Sequence, residues 1–414
     1  MRVNCRTPIS PSTAVIGVDL AKNKFVAVTL LGDGHRSKAR TFTLTATGLA
    51  DFDSFVERTT GESDGFVVGY EPTGHYGVPL LERLHRDGVP LYLVQPHQTK
   101  RAKDLYGRNG RKTDAKDAFL VAKLVREGAS RLWAPQQAPY SELRVLCRQR
   151  EQLVVRRSGI RNRLHRHLDV VFPELVGLFG DLYSPSCLYI VKTTPLPADV
   201  LSFPQEELAA GLFKASHRNL GAERVREVRL AAEHSVGSVK NTTAHRLAIE
   251  QSLEELEFLS RRIERVEDQM RLLLHQVDYA EHLLTVPRLG EVTVAILLGE
   301  LGDLRGYRNA RQLAAMAGLD LSERSSGTQR GNLHISRRGR RYLRQTLYLA
   351  ALRLGWEGFS AHRQRLVEVN KLRKIKATVA NMRRLLRVMH AMVRDQADFD
   401  QALHVAEPVA AMVA

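Results

Sequence analysis

Two β-branched apolar runs, Thr13–Leu20 (TAVIGVDL) and Lys24–Leu31 (KFVAVTLL), are separated only by Ala21–Asn23. So short a link permits antiparallel pairing alone, because a parallel return needs a crossover of about a dozen residues. A third alternating run, Arg40–Thr45 (RTFTLT), extends the pair to an antiparallel meander. The period then changes. Thr47–Arg58 reads as a helix, Gly65–Tyr70 (GFVVGY) as a buried strand and Val78–Arg86 as a helix. Pro90–Val94 reads as a strand and Thr113–Glu127 as an amphipathic helix. The order βββαβαβα predicts an α/β domain over residues 11–140, RNase H-like, with a mixed central sheet.

The remainder reads as all-α. Residues 141–170 form a long basic helix with Leu146, Leu153 and Ile160 at heptad spacing and Leu164, Leu168 and Val171 beyond. It carries eight Arg against three acids, and Pro173 ends it. Residues 173–240 mix short helical pieces with prolines. A second long helix, Ala244–Gln276, places Ile249, Leu253, Leu256, Leu259, Ile263, Val266, Met270 and Leu273 on one stripe. That stripe suits a coiled-coil seam or a helical hairpin with the 141–170 helix. The expected organisation is a helical coiled-coil region over 141–280 for dimerisation and nucleic-acid binding, and a mainly helical C-terminal domain over 281–395. Residues 396–414 are expected to be a poorly ordered tail.

Charge narrows the function. The chain has 414 residues, with 62 Lys+Arg against 45 Asp+Glu, a formal net charge of +17. Between Leu321 and Asp395 there are 18 basic and 4 acidic residues, so +14 of that excess sits in one segment. Such an excess argues against a small-molecule enzyme with no polyanionic partner and for nucleic acid. No apolar run reaches the ~18 residues of a spanning helix, so no membrane partner is expected. The first ten residues, MRVNCRTPIS, hold no apolar signal core. Cys5, Cys147 and Cys187 are scattered, and His165 and His167 sit among arginines. Neither set has zinc or disulfide spacing, and a reducing cytoplasm is expected.

Four carboxylates are candidates for chemistry. Asp19 lies near the end of the first strand, Glu71 directly follows GFVVGY, and Asp114 and Asp117 are three apart at a helix start, on one face. Gathered at one sheet edge, they would hold Mg²⁺, a hard cation that takes oxygen ligands. The plainer alternatives are a turn acid at Asp19, a solvent-facing Glu71 and an N-cap at Asp114 with Lys112 and Lys116 as partners. The loop DLSERSSGTQRGNL offers Ser325 and Ser326 beside Gly327, ahead of the basic SRRGRRYLR. It reads as a phosphate-contacting serine loop or as a polar helix connection. Thr285–Gly290 (TVPRLG) reads either as a backbone phosphate-binding hairpin in which Arg288 stands where glycine is usual, or as a plain connection between helices.

Nucleic-acid contacts are expected from Lys100, Arg101, Lys103, Arg108 and Arg111, and from Arg156, Arg157 and Arg161. Arg288, Arg337, Arg338, Arg340 and Arg341 complete the set. Aromatic residues make up only 6% of the chain and are not interleaved with these runs, so backbone and shape recognition should outweigh base stacking.

In that order, IGVDLAKNKF, GYEPTGHYGVPL and RKTDAKDAFLVAKLV resemble the catalytic domain of the DEDD-type insertion-sequence transposases, the IS-one-ten family. The stretch from VPRLGEVTVAILLGEL through SERSSGTQRGNLHISRRGRRYLRQ resembles that family's C-terminal transposase domain. So does LRKIKATVANMRRLLRVMHAMV, and the likeness runs over nearly the whole chain. The resemblance implies a RuvC-like catalytic domain with its acidic tetrad at Asp19, Glu71, Asp114 and Asp117, binding Mg²⁺ or substituting Mn²⁺. It implies a serine nucleophile at Ser326, with Ser325 as its neighbour, that forms a covalent phosphoserine link to DNA. The implied partners are element-end and target DNA, a structured bridge RNA, and a second or fourth copy of the chain. A structure-selective nuclease of the Holliday-junction-resolvase kind, a DNA invertase, and a non-catalytic nucleic-acid binder are the alternatives.

Overall fold

The computed structural model describes residues 9–61, 63–72, 74–106, 113–322, 334–354 and 357–400. The chain divides into two units, Met1–Gln137 and Ala138–Ala414.

The first unit is built on a six-stranded mixed sheet. Strands β1 (Ala14–Leu20), β2 (Lys24–Leu30) and β3 (Arg40–Thr43) form the expected antiparallel meander. Helix α1 (Ala46–Thr60) then returns the chain, so that β4 (Phe66–Tyr70) pairs with β1 in parallel. Helix α2 (Val78–Arg86) leads to β5 (Leu91–Leu93), which is parallel to β4. Helices α3 (Pro96–Tyr106) and α4 (Asp114–Arg126) precede an antiparallel edge strand, β6 (Arg131–Trp133). The sheet order is β3-β2-β1-β4-β5-β6.

Strand alternation divides the apolar residues between the two faces. Ile16, Val18, Val68 and Tyr70 pack with α1 and α2, where Phe25, Phe42, Phe52 and Phe55 form an aromatic cluster with ring centroids 5.2–6.5 Å apart. Val15, Val67 and Val94 pack with α3 and α4 on the other face. That second face has a flat centre, because Gly17 of β1 pairs in register with Gly69 of β4. A Cβ on Gly17 would strike the Ala118 carbonyl and Ala122, and one on Gly69 would strike Val125. Helix α4 therefore lies directly on the two glycines.

The second unit begins with α5 (Tyr140–Val171) and returns along α11 (Thr242–Leu274). The two are antiparallel. Arg150 pairs with Glu267 at 2.6 Å, and Arg163, further along α5, meets the earlier Glu255 of α11 at 3.7 Å. Ile249, Leu253, Leu256, Leu259, Ile263, Val266 and Met270 are all buried in one core with Leu153, Ile160, Leu164 and Leu168. Of the two readings of the apolar stripe, the intramolecular hairpin is the arrangement present.

Between the long helices lie α6 (Glu174–Phe179), α7 (Pro185–Thr193), α8 (Pro197–Ser202), α9 (Gln205–Ala215) and α10 (Ala222–Glu233). Helices α12 (Ala280–Leu284), α13 (Glu291–Leu301) and α14 (Ala310–Met316) follow. The two-residue strands β7 (Leu321–Ser322) and β8 (His334–Ile335) then pair antiparallel. Helices α15 (Arg341–Arg353), α16 (Glu357–Glu368) and α17 (Lys374–Asp395) end the unit. A single core runs from Tyr140 to Val393, and the expected boundary at 280/281 lies inside it. Of the expected tail, Phe399 packs partly on this core and its N–H donates to Thr285 Oγ1 at 2.8 Å.

Candidate active site

The glycine register explains where the carboxylates go. Residues two apart on a strand share a face. Asp19 is two residues beyond Gly17, and Glu71 is two beyond Gly69, just past the end of β4. Both therefore lie on the face that α4 covers. Helix α4 sits over Gly17 with Ala118, so its first turn, carrying Asp114 and Asp117, is next to Asp19. The Thr113 side chain caps this helix by accepting from the Lys116 N–H at 3.4 Å. Asp114 is thus the first helical residue and not the cap.

The charges interact. Burial pushes the Asp19 carboxyl up to about 6, and repulsion from Asp117, Asp114 and Glu71 adds to the rise. Lys103 acts the other way: it lowers Asp19, and its Nζ lies 2.9 Å from Asp117 Oδ2. Asp117 is mostly covered, with its side chain 16% exposed. Among the described residues, no three Asp, Glu, His or Cys side chains converge as ligands of a single ion. The four carboxylates are the oxygen donors a hard divalent cation takes, and their repulsion is what such a cation relieves, so the donor set fits in kind. Its geometry is open, with Asp117 engaged by a lysine.

The serine candidates Ser325 and Ser326 lie outside the described residues, as do Arg108 and Arg111. The segment that carries the serines leaves β7 and enters β8, whose pairing is fixed by Leu321 with Ile335 and Ser322 with His334. Below the ladder the Ser336 N–H donates to Asp320 O at 2.7 Å. Arg337 follows with φ 54°, a left-handed conformation held by its N–H bond to Gly318 O.

The basic residues separate by environment. Lys100, Arg101, Arg156, Arg288, Arg337, Arg338 and Arg341 are exposed. Arg157 is part-buried, and Arg161 stacks over the Tyr183 ring at 4.4 Å. Arg340 turns inward, toward Glu300 and its carbonyl, and burial lowers its guanidinium to about 10. Glu300 is itself fully buried, held by Arg148, whose Nη2 donates to Oε2 at 3.1 Å and whose Nε lies 2.8 Å from Oε1. Sequence reasoning passed over Glu300. Its signal was an acid placed in the apolar run VTVAILLGEL, where an ionised side chain must find a cation.

Comparison with known proteins matches both halves of the chain to transposases. A DEDD transposase model of the IS110 type matches residues 16–173, which include all four carboxylates. A second model, for transposases of the IS116/IS110/IS902 family, matches residues 280–362, which include the serine loop. The chain is 27% identical over 350 residues to the insertion element IS116 uncharacterized 44.8 kDa protein of Streptomyces clavuligerus, covering 81% of this chain and 83% of that one. It is 29% identical over 333 residues to the insertion element IS900 uncharacterized 42 kDa protein of Mycobacterium paratuberculosis, covering 78% and 81%. A pilin gene-inverting protein of Moraxella lacunata is 23% identical over 407 residues, 95% of this chain and 99% of that one. With both halves matched in order, the chain belongs to the IS116/IS110/IS902 family of transposases.

Proposed function

We propose that this transposase cuts and rejoins DNA strands at element ends and target through Asp19, Glu71, Asp114, Asp117 and Ser326. The observation that supports the reading is the raised Asp19 carboxyl, at the end of a central strand of the mixed sheet, where burial and the charges of Asp117, Asp114 and Glu71 act on it together, as in an RNase H-like (RuvC-like) site. A divalent cation, Mg²⁺ or Mn²⁺, held by these four residues would polarise the scissile phosphate and offset charge developing on it. The chain's own part is to hold the oxygens in place. β1 and β4 fix Asp19 and Glu71, and the capped first turn of α4 fixes the aspartates.

In the covalent step Ser326 Oγ bonds to the phosphorus, and one phosphorus–oxygen bond of the DNA breaks. The serine proton leaves, and the departing deoxyribose oxygen takes one up. Attack by the hydroxyl of a second strand breaks the phosphoserine bond and regenerates the serine. Exchange between strands brings several DNA ends together, which fits a dimer or tetramer. Direction by a structured bridge RNA is supported by the family resemblance and by the +17 charge. The inverting relative that matches 95% of the chain favours a second reading, inversion of a DNA segment by the same chemistry.

Strand-exchange assays on Ser326→Ala and Asp19→Asn test the proposal. Both variants should lose exchange. Persistent metal-dependent cleavage by Ser326→Ala would point to a structure-selective nuclease, and unchanged behaviour of Asp19→Asn would leave only a nucleic-acid binder.

A further inference from the structure

Lys103 brings a cation to the four-carboxylate cluster from within the same unit. Lys103 lies on α3, four residues after the buried Thr99 and next to Ala102, which packs with Val15, Val67 and Val94 of the first unit. Helical periodicity sets Lys103 on that inward side, whereas Lys100 and Arg101 face solvent. Its ammonium stands 2.9 Å from Asp117 Oδ2 and also lowers Asp19. A group this close to one carboxylate and felt by a second occupies the charge role that a divalent cation fills in such a cluster. A cation drawing on Asp117 Oδ2 meets the lysine's positive charge beside it.

We infer that Lys103 is a resident counter-cation that couples metal loading to DNA binding, releasing Asp117 only when a DNA phosphate offers it another anion. The inference rests on the reading of the carboxylates as a metal site. With no DNA, the lysine neutralises the cluster and weakens its hold on a divalent cation. A phosphate entering the site draws the ammonium away, and Asp117 becomes available. The coupling is reciprocal, so the metal must strengthen DNA binding by the factor by which DNA strengthens metal binding. Lys103 side-chain exposure is 40%, which leaves it room to swing without repacking the core.

The test is Mn²⁺ binding, followed by the loss of the free-ion electron paramagnetic resonance signal, with and without a short DNA duplex. Wild type, Lys103→Met, Lys103→Arg and Asp19→Asn are compared. Lys103→Met should bind Mn²⁺ roughly tenfold more tightly than wild type without DNA, the scale of removing one competing charge at a partly exposed site. Lys103→Arg should stay near wild type. DNA should tighten Mn²⁺ binding in wild type and do so several-fold less in Lys103→Met. Equal affinities for wild type and Lys103→Met, or an undiminished DNA effect, would overturn the inference while the metal site stands. If wild type shows no Mn²⁺ binding that Asp19→Asn removes, the metal reading falls and takes the inference with it.

Discussion

Gly17 of β1 and Gly69 of β4 face each other in register, and α4 lies on both. This pairing brings the first turn of α4 to the strand ends where Asp19 and Glu71 stand. The two positions differ in tolerance. At Gly17 a methyl group meets the Ala118 backbone, which cannot move without the helix, while at Gly69 it meets the tip of the Val125 side chain. Gly17→Ala should therefore destabilise the first unit by about 1–3 kcal/mol and weaken divalent-cation binding. Gly69→Ala should cost less on both counts. Urea unfolding and Mn²⁺ titration of the two variants check the order.

Asp19 makes the metal-free protein sensitive to pH. Its folded carboxyl titrates near 6, above the ordinary 3.8, because burial and three neighbouring acids disfavour the charge. The folded state thus favours the protonated form. The corresponding stability is fully present below about pH 3.8 and is lost as pH rises to about 6. Asp19→Asn, which has no charge to bury, should melt higher than wild type at pH 7.5 without metal, and the gap should close toward pH 4. Melting curves at the two pH values decide the matter, and a gap that does not change with pH would contradict the charge account.

Arg340 and its neighbours should separate stability from nucleic-acid binding. Glu300 is fully buried between Arg148, which also pairs with Glu151, and the largely covered Arg340, so Glu300→Ala takes the carboxylate from Arg340 and should cost about 3 kcal/mol. Arg340→Ala should act in the same direction. Arg338 and Arg341 are exposed, and each change to Ala should leave the melt unchanged, weaken DNA or RNA binding and reduce its salt slope by about one. Filter binding over a salt series, beside thermal melts, distinguishes the two groups.

The apolar stripe of α11 is buried within its own chain. Leu256→Ala or Ile263→Ala should cost about 2–5 kcal/mol as core truncations. Because α5 and α11 pack as one hairpin, the loss should be independent of protein concentration. Unfolding at two concentrations fifty-fold apart provides the check. A concentration-dependent midpoint would assign the stripe to an interface between copies.

Much of this organisation was legible in the residues. Alternation and β-branching marked β1 to β5, and period-3.6 stripes marked α5 and α11, since these elements bury a face with a regular repeat. Strand β6 is three residues at an antiparallel edge, too short for a period to show. Helix α3 is rich in polar residues and reads as a basic surface run, with Thr99 and Ala102 the buried residues among its described side chains. Side-chain direction was less legible still. Lys103 and Arg340 sit in basic strings, and only the fold turns one to Asp117 and the other to Glu300. The partner of the α11 stripe was undecided, because an apolar repeat states that a face is covered and not by what.

The most direct measurement is to trap the covalent state. Purified protein, Mg²⁺, the structured RNA proposed to guide it and labelled element-end and target DNA are mixed, denatured and digested, and the peptide bonded to DNA is identified by mass spectrometry. The account predicts a denaturation-resistant adduct on Ser326 that disappears in Asp19→Asn. Metal-dependent strand cleavage with no adduct at any serine would contradict it.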